Sequence, residues 1–170
     1  MIKLETYLTE AVLGQVLAEL FPLDSIKKQY KFSGNKFKYD YALENSKILV
    51  EFDGYRHYCD VQTIQRDALK SNVSEWDIIR IPYYVQLEPR TVKYFFGQTT
   101  TVVDSTYPHG WIDKKAMLPA SYCELGVERC IQELEMLPVD VMNECLVSLT
   151  NRPTASKYVY PKMFEKLIQS

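Results

Sequence analysis

Histidine is scarce in this chain of 170 residues: only His57 and His109 occur. Cysteine is nearly as thin, with Cys59, Cys123, Cys130 and Cys145 and no CxxC pair among them. So few sulfur and imidazole donors at such spacing exclude a zinc ribbon and fit reduced thiols, which makes a cytoplasmic setting the expectation. No apolar run approaches the roughly 18 residues that a membrane helix needs, and the start at Met1 lacks a signal-peptide pattern. No membrane association is therefore expected. Repeats and low-complexity tracts are absent too. The net charge of −2 does not announce a nucleic-acid binder. With 46% hydrophobic and 25% charged residues, the chain reads as one globular domain with room for an appended subdomain.

Charge that is scarce in total is concentrated locally. Lys27, Lys28, Lys31, Lys36 and Lys38 fall between Ser25 and Tyr39 with no acid among them, whereas "CELGVERCIQELEML" is acidic. Two readings of the lysines stand: a phosphate-binding face, or lysines that protect a solvated strand edge.

Leu13, Val16, Leu17 and Leu20 recur at helical spacing in "LTEAVLGQVLAELFP", and Pro22 stops the helix. Glu10 lies on the same stripe, so it points inward as well as suiting the first turn. Extended segments follow at about 26–32, 36–43 and 47–52. "VQTIQRDALKSNV" reads as a helix, "WDIIRIPYYV" as a strand and "PRTVKYFF" as another helix. This order predicts an α/β (α+β) fold, a mixed sheet flanked by helices. Residues 1–106 form the core in this reading, and residues 107–170 a C-terminal helical extension packed on it. His109, beside Gly110 and Trp111, is either a loop residue or a ligand contact.

The segment "KYDYALENSKILVEFDGYRHY" concentrates the chemistry. A tight turn at Asn45–Ser46, where Asn tolerates positive φ, pairs Leu43 with Ile48, Ala42 with Leu49 and Asp40 with Glu51. Two carboxylates directly opposite, with Cβ atoms about 5 Å apart, repel each other. A divalent cation between them removes the conflict, and an all-oxygen site suits Mg²⁺, with Mn²⁺ as substitute. Alternation puts Asp53 on the same face as Glu51.

Asp40, a strand–turn–strand and then Glu51-Phe52-Asp53 resembles the PD-(D/E)XK nuclease superfamily. The closest likeness is to its compact branch of very-short-patch-repair-type endonucleases. "ILVEFDGYRHY", "QRDALK" and "DIIRIPY" fall in the order of that branch, and Glu10 in "TEAVLGQVL" matches its first-helix glutamate. The likeness covers about residues 5–90 and implies a restriction-endonuclease-like core. It also implies metal-dependent DNA endonuclease activity of a restriction, repair or mobile-element type. RNA stays open beside DNA.

In that likeness Asp40, Glu51, the Phe52 carbonyl and Glu10 hold Mg²⁺. The catalytic set is Asp40, Glu51, Asp53, Glu10, His57 and Lys38. Asp53 stands where the superfamily usually has lysine. Lys38, opposite it in the same register, is either the replacement or a salt-bridge partner. His57 is either a general acid or phosphate contact, or a structural residue. Lys36, Arg56, Gln65, Arg66 and Lys70 are the expected nucleic-acid contacts. Arg66 with Asp67 is alternatively a structural ion pair, and Arg80 is a supporting partner of the carboxylates. Two other readings remain: a degenerate nuclease fold that binds DNA or assembles, and a helical interaction protein with incidental acids. The C-terminal helices offer a surface for a second copy or a partner protein.

Overall fold

The computed structural model describes residues 2–4, 8–72, 74–98, 103–105 and 121–150. The central sheet has four strands: β2 (Ile26–Tyr30), β3 (Tyr39–Leu43), β4 (Ile48–Asp53) and β5 (Asp77–Pro82), side by side in that order. β2, β3 and β4 form an antiparallel meander, and β5 joins β4 in parallel. A parallel pair needs a crossover. It is supplied by α2 (Arg56–Cys59) and α3 (Val61–Asn72). Two short strands absent from the sequence reading, β1 (Ile2–Leu4) and β6 (Val103–Ser105), pair in parallel apart from this sheet. The fold is the expected α+β arrangement.

The predicted β3–β4 register is the observed one: Leu43 pairs with Ile48 and Ala42 with Leu49. The turn that sets it differs from expectation. Positive φ falls on Lys47 (54°), not on Asn45. Asp24 holds the turn instead, accepting the Asn45 N–H at 2.9 Å and the Ser46 hydroxyl at 2.6 Å.

Helix α1 (Glu10–Leu20) buries Leu13, Val16, Leu17 and Leu20 on one face of the sheet, against Tyr41, Leu43, Val50 and Ile81. Thr9 caps its first turn by accepting the Val12 N–H at 3.2 Å. On the opposite face, Tyr39, Ala42 and Leu49 pack with Tyr30, Phe32 and Trp76. Helix α4 (Pro89–Phe96) begins with a capping box at Glu88 and Thr91.

Within the C-terminal part, α5 (Glu124–Met136) and α6 (Val139–Thr150) are described. Val127, Cys130 and Leu134 of α5 share a core with Tyr58, Tyr83 and Tyr84. Gly126 permits the contact, since a Cβ there would collide with the Tyr58 carbonyl. His109 lies outside the described residues. No helix among the described residues is long and apolar enough to cross a membrane.

Candidate metal centre and its neighbouring ion network

β4 sends Leu49, Glu51 and Asp53 to one face, and α3 lies against that face. The inward side of α3 is charged: its buried residues are Asp67 and Lys70, while Ala68 and Leu69 are exposed. Three residues apart, Asp67 and Lys70 fall under Asp53 and Glu51 respectively.

Asp53 is fully buried and heavily paired. Arg80 Nη1 donates to its Oδ1 at 2.8 Å, Arg129 Nη2 donates to its Oδ2, and His57 Nδ1 lies 3.3 Å from Oδ1. Asp67 joins the same group through His57 Nδ1 at 2.5 Å and Arg129 Nη1 at 2.9 Å. Arg129 Nε reaches Glu133 at 2.8 Å, and Glu133 Oε2 accepts the hydroxyls of Tyr58 and Tyr84. Burial raises the Asp67 carboxyl, but His57, Arg80 and Arg129 outweigh it and hold the group down to about 2. Arg129 is likewise driven upward: burial opposes its charge, and Asp53 with Glu133 restores it.

Asp53, His57 and Asp67 bring ligand atoms within 4.8 Å of one another, a spacing that suits a metal ion. Both oxygens of Asp53 and the Oδ2 of Asp67 are held by guanidinium groups, whose charge repels a cation. This is a closed ion network, balanced without metal.

Asp40 and Glu51 are placed differently. The β3–β4 ladder runs as far as the Tyr41–Val50 pair; Asp40 and Glu51 are the next residues along the two strands, and the Asp40 charge acts on Glu51. Asp40 Oδ2 accepts the Phe52 N–H at 2.8 Å. Burial, and then the charge of Glu10, raise the Asp40 carboxyl against that hydrogen bond. Glu51 is only 3% exposed. Burial first and the Asp40 charge second push it up to about 7, against the pull of Lys70. Its Oε1 forms an ion pair with the Lys70 ammonium. Lys70 also sits 4.7 Å from the centre of the Tyr39 ring.

Glu10, at the start of α1, reaches the same corner through Gln29. The Gln29 Nε2 donates to Glu10 Oε1 at 3.1 Å and approaches Asp40 Oδ1 at 3.5 Å. Gln29 adopts φ 50°, in the left-handed region, which disfavours a side chain by about 1–2 kcal/mol.

The expected carboxylates thus separate into two groups. Glu10, Asp40 and Glu51 share one corner, while Asp53 and His57 belong to the ion network. Lys38 is exposed and is not a partner of Asp53, which Arg80 and Arg129 already hold. Lys70, expected to contact nucleic acid, is buried beside Glu51. Arg66 is exposed and unpaired with Asp67, whose partners are His57, Arg80 and Arg129. Lys36, Arg56 and Gln65 are exposed, as an outer contact requires. Arg80 is the carboxylate partner that its place on β5 suggested. Arg129 was not anticipated; its signal is its place on the Gly126–Glu133 side of α5.

No family model, curated protein or solved structure matches the chain.

Proposed function

We propose that the protein is a metal-dependent phosphodiester hydrolase acting on nucleic acid, with its centre at Asp40 and Glu51. The observation that carries this reading is Glu51. It is a buried carboxylate pushed up to about 7 by burial and by the charge of Asp40, with Lys70 as its one ion-pair partner among the described residues. A binding module has no need of such an arrangement, because like charges on adjacent strands destabilise a sheet. The donors are all oxygens, which fits a hard divalent cation such as Mg²⁺ or Mn²⁺. Asp40 and Glu51 would hold it, with Glu10 at the outer edge of the corner.

When bound, such an ion lowers the pKa of water and stabilises charge on a phosphate under attack. The protein supplies the rest. Lys70 brings an ammonium to Glu51 from α3, so the lysine that the PD-(D/E)XK resemblance leads one to seek at position 53 has its counterpart on the helix. There it can orient a water and hold a proton near the attacking oxygen. Asp53 is released from that task and ties α3, β5 and α5 together, which fixes the helix that carries Lys70. DNA is the favoured substrate on the same resemblance.

Nicking of supercoiled plasmid in MnCl₂ tests the proposal. Wild type nicks the plasmid, Asp40→Asn and Lys70→Met do not, and Lys70→Met still gains thermal stability from the metal. Cleavage that survives Asp40→Asn, or a wild type inert toward plasmid, single-stranded DNA and RNA, refutes it. Nucleic-acid binding without cleavage in that assay is the outcome of the degenerate-fold reading.

A further inference from the structure

Between β2 and β3 the chain forms an open cleft of about 590 Å³, lined by residues 32–37 and by Glu75 from the segment before β5. Its volume falls within the range of small-ligand sites. Two aromatic rings, Phe32 and Phe37, line the cleft among polar residues, and Phe32 is braced from behind. Phe32 meets Trp76 edge-on at 5.1 Å and Tyr39 edge-on at 6.0 Å, and Tyr30 stacks on Trp76 at 5.5 Å. Lys36 lies 5.1 Å above the Phe37 ring.

The loop is fixed before any ligand arrives. Asn35 Oδ1 accepts the Phe37 N–H at 2.9 Å, and the Asn35 N–H donates to the Phe32 carbonyl at 3.1 Å. Gly34 takes φ 78°, which a side chain would resist. Lys36 lines the cleft, and Lys31 and Lys38, which flank its lining segment in the chain, are exposed. A path of contacts links it to the acidic corner, from Phe32 to the Tyr39 ring, from that ring to Lys70, and from Lys70 to Glu51.

We infer that this cleft takes an unpaired nucleobase, and that the substrate of the neighbouring centre is a nucleic acid carrying at least one unpaired nucleotide. Fixed aromatic rings with lysines beside them are how proteins hold a base by its face and its phosphates by charge. In a duplex both faces of a base are covered by its neighbours, so only an unpaired base can enter. The other anionic polymer the lysines could attract, an acidic peptide, is disfavoured by Glu75. That carboxylate repels phosphates as well as acidic side chains, but only a base brings ring N–H and exocyclic amino groups that donate to it. The inference names the substrate of the proposed hydrolase and to that extent rests on it, so binding is read apart from cleavage.

Fluorescence anisotropy of the whole protein in EDTA provides the test. The probes are a short single-stranded DNA, the same sequence as a blunt duplex, and that duplex with one extrahelical 2-aminopurine. The single strand and the bulged duplex should bind about ten-fold tighter than the blunt duplex. Phe37→Ala should remove most of that preference, while Lys31→Ala with Lys36→Ala weakens all three probes together. Equal affinity for paired and unpaired probes overturns the inference. So does a folded Phe37→Ala that keeps the preference, or a poly-glutamate that competes as well as the single strand. Should Phe37→Ala fail to fold, wild type decides alone: stacking must change the 2-aminopurine emission on binding, and unchanged emission overturns the inference. Binding of unpaired DNA without cleavage in Mn²⁺ leaves this inference standing and refutes the hydrolase. Cleavage with no preference for unpaired probes does the reverse.

Discussion

Glu51 and Asp53 leave the same face of β4 two residues apart, and α3 meets them in opposite ways. Beneath Asp53 it places Asp67, and the two acids are compensated by Arg80, Arg129 and His57 from three other elements. Beneath Glu51 it places one ammonium, while a second carboxylate stands on the neighbouring strand. The first cluster is neutralised internally, and the second keeps an excess of negative charge in a buried place. Burial alone therefore says little about an acid's role. What differs between the two clusters is the balance of charge: two guanidinium groups serve Asp53 and Asp67, whereas one ammonium serves Glu51 and Asp40.

The largest expected effect breaks the satisfied side of this contrast. Asp53→Ala leaves two buried guanidinium groups without their main partner and should lower stability by about 3–5 kcal/mol, read from urea unfolding at neutral pH. A loss below about 1 kcal/mol would show that the network holds nothing together.

Acid–base behaviour should divide the two clusters next. Glu51 is raised to about 7 in the folded chain, above its ordinary 4.5, so the folded state holds that proton more tightly than the unfolded state. Its contribution is lost as pH rises from about 4.5 through about 7. Asp67 is held down to about 2, below its ordinary 3.8, so its contribution is present above about 3.8 and lost as pH falls toward 2. Metal-free stability should thus be greatest near pH 4–5 and fall on the alkaline side by an amount on the order of 2 kcal/mol. Glu51→Gln should flatten the alkaline fall and leave the acid limb intact, as followed by urea midpoints across pH.

A smaller effect belongs to Lys70. Lys70→Met deprives Glu51 of its cation and should lower metal-free stability at pH 8 by about 1–3 kcal/mol, measured by urea unfolding. The alkaline transition of Glu51 should move to higher pH as well. The smallest effect is at Gln29. Gln29→Gly relieves the left-handed backbone and removes the bridge between Glu10 and Asp40. Thermal unfolding without metal should show a gain of no more than about 1 kcal/mol.

Much of the frame was legible in the chain. The alternation of "YDYAL" and "ILVEFD" and the short turn gave the register that pairs Leu43 with Ile48 and Ala42 with Leu49, and the leucine spacing gave α1. The ownership of the charges was not legible. On α3 the sequence places Ile64, Asp67 and Ala68 toward the sheet, and Asp67 is buried there, but Lys70 takes the inward place beside it while Ala68 and Leu69 are exposed. In the sequence alone Lys70 looks like a surface contact. Arg129 lies 76 residues from Asp53, in a helix whose local composition is acidic. No local pattern joins the two residues; only the docking of α5 at Gly126 does. Asp53 looked like a catalytic ligand because its counter-charges come from β5 and α5, far away in sequence.

The central claim is that Asp40 and Glu51, which share the single ammonium of Lys70, form a pair that binds a divalent cation. Thermal unfolding of wild type and Asp40→Asn, each with and without MnCl₂ at pH 7.5, tests it most directly. Wild type should gain about 2.7 kcal/mol when the metal reaches roughly a hundred times its dissociation constant. Asp40→Asn should gain nothing, and without metal it should equal or exceed wild type by about 0.5–1 kcal/mol, because the substitution relieves a like-charge pair. A wild type that ignores Mn²⁺, together with an Asp40→Asn protein clearly less stable than wild type, would contradict the account.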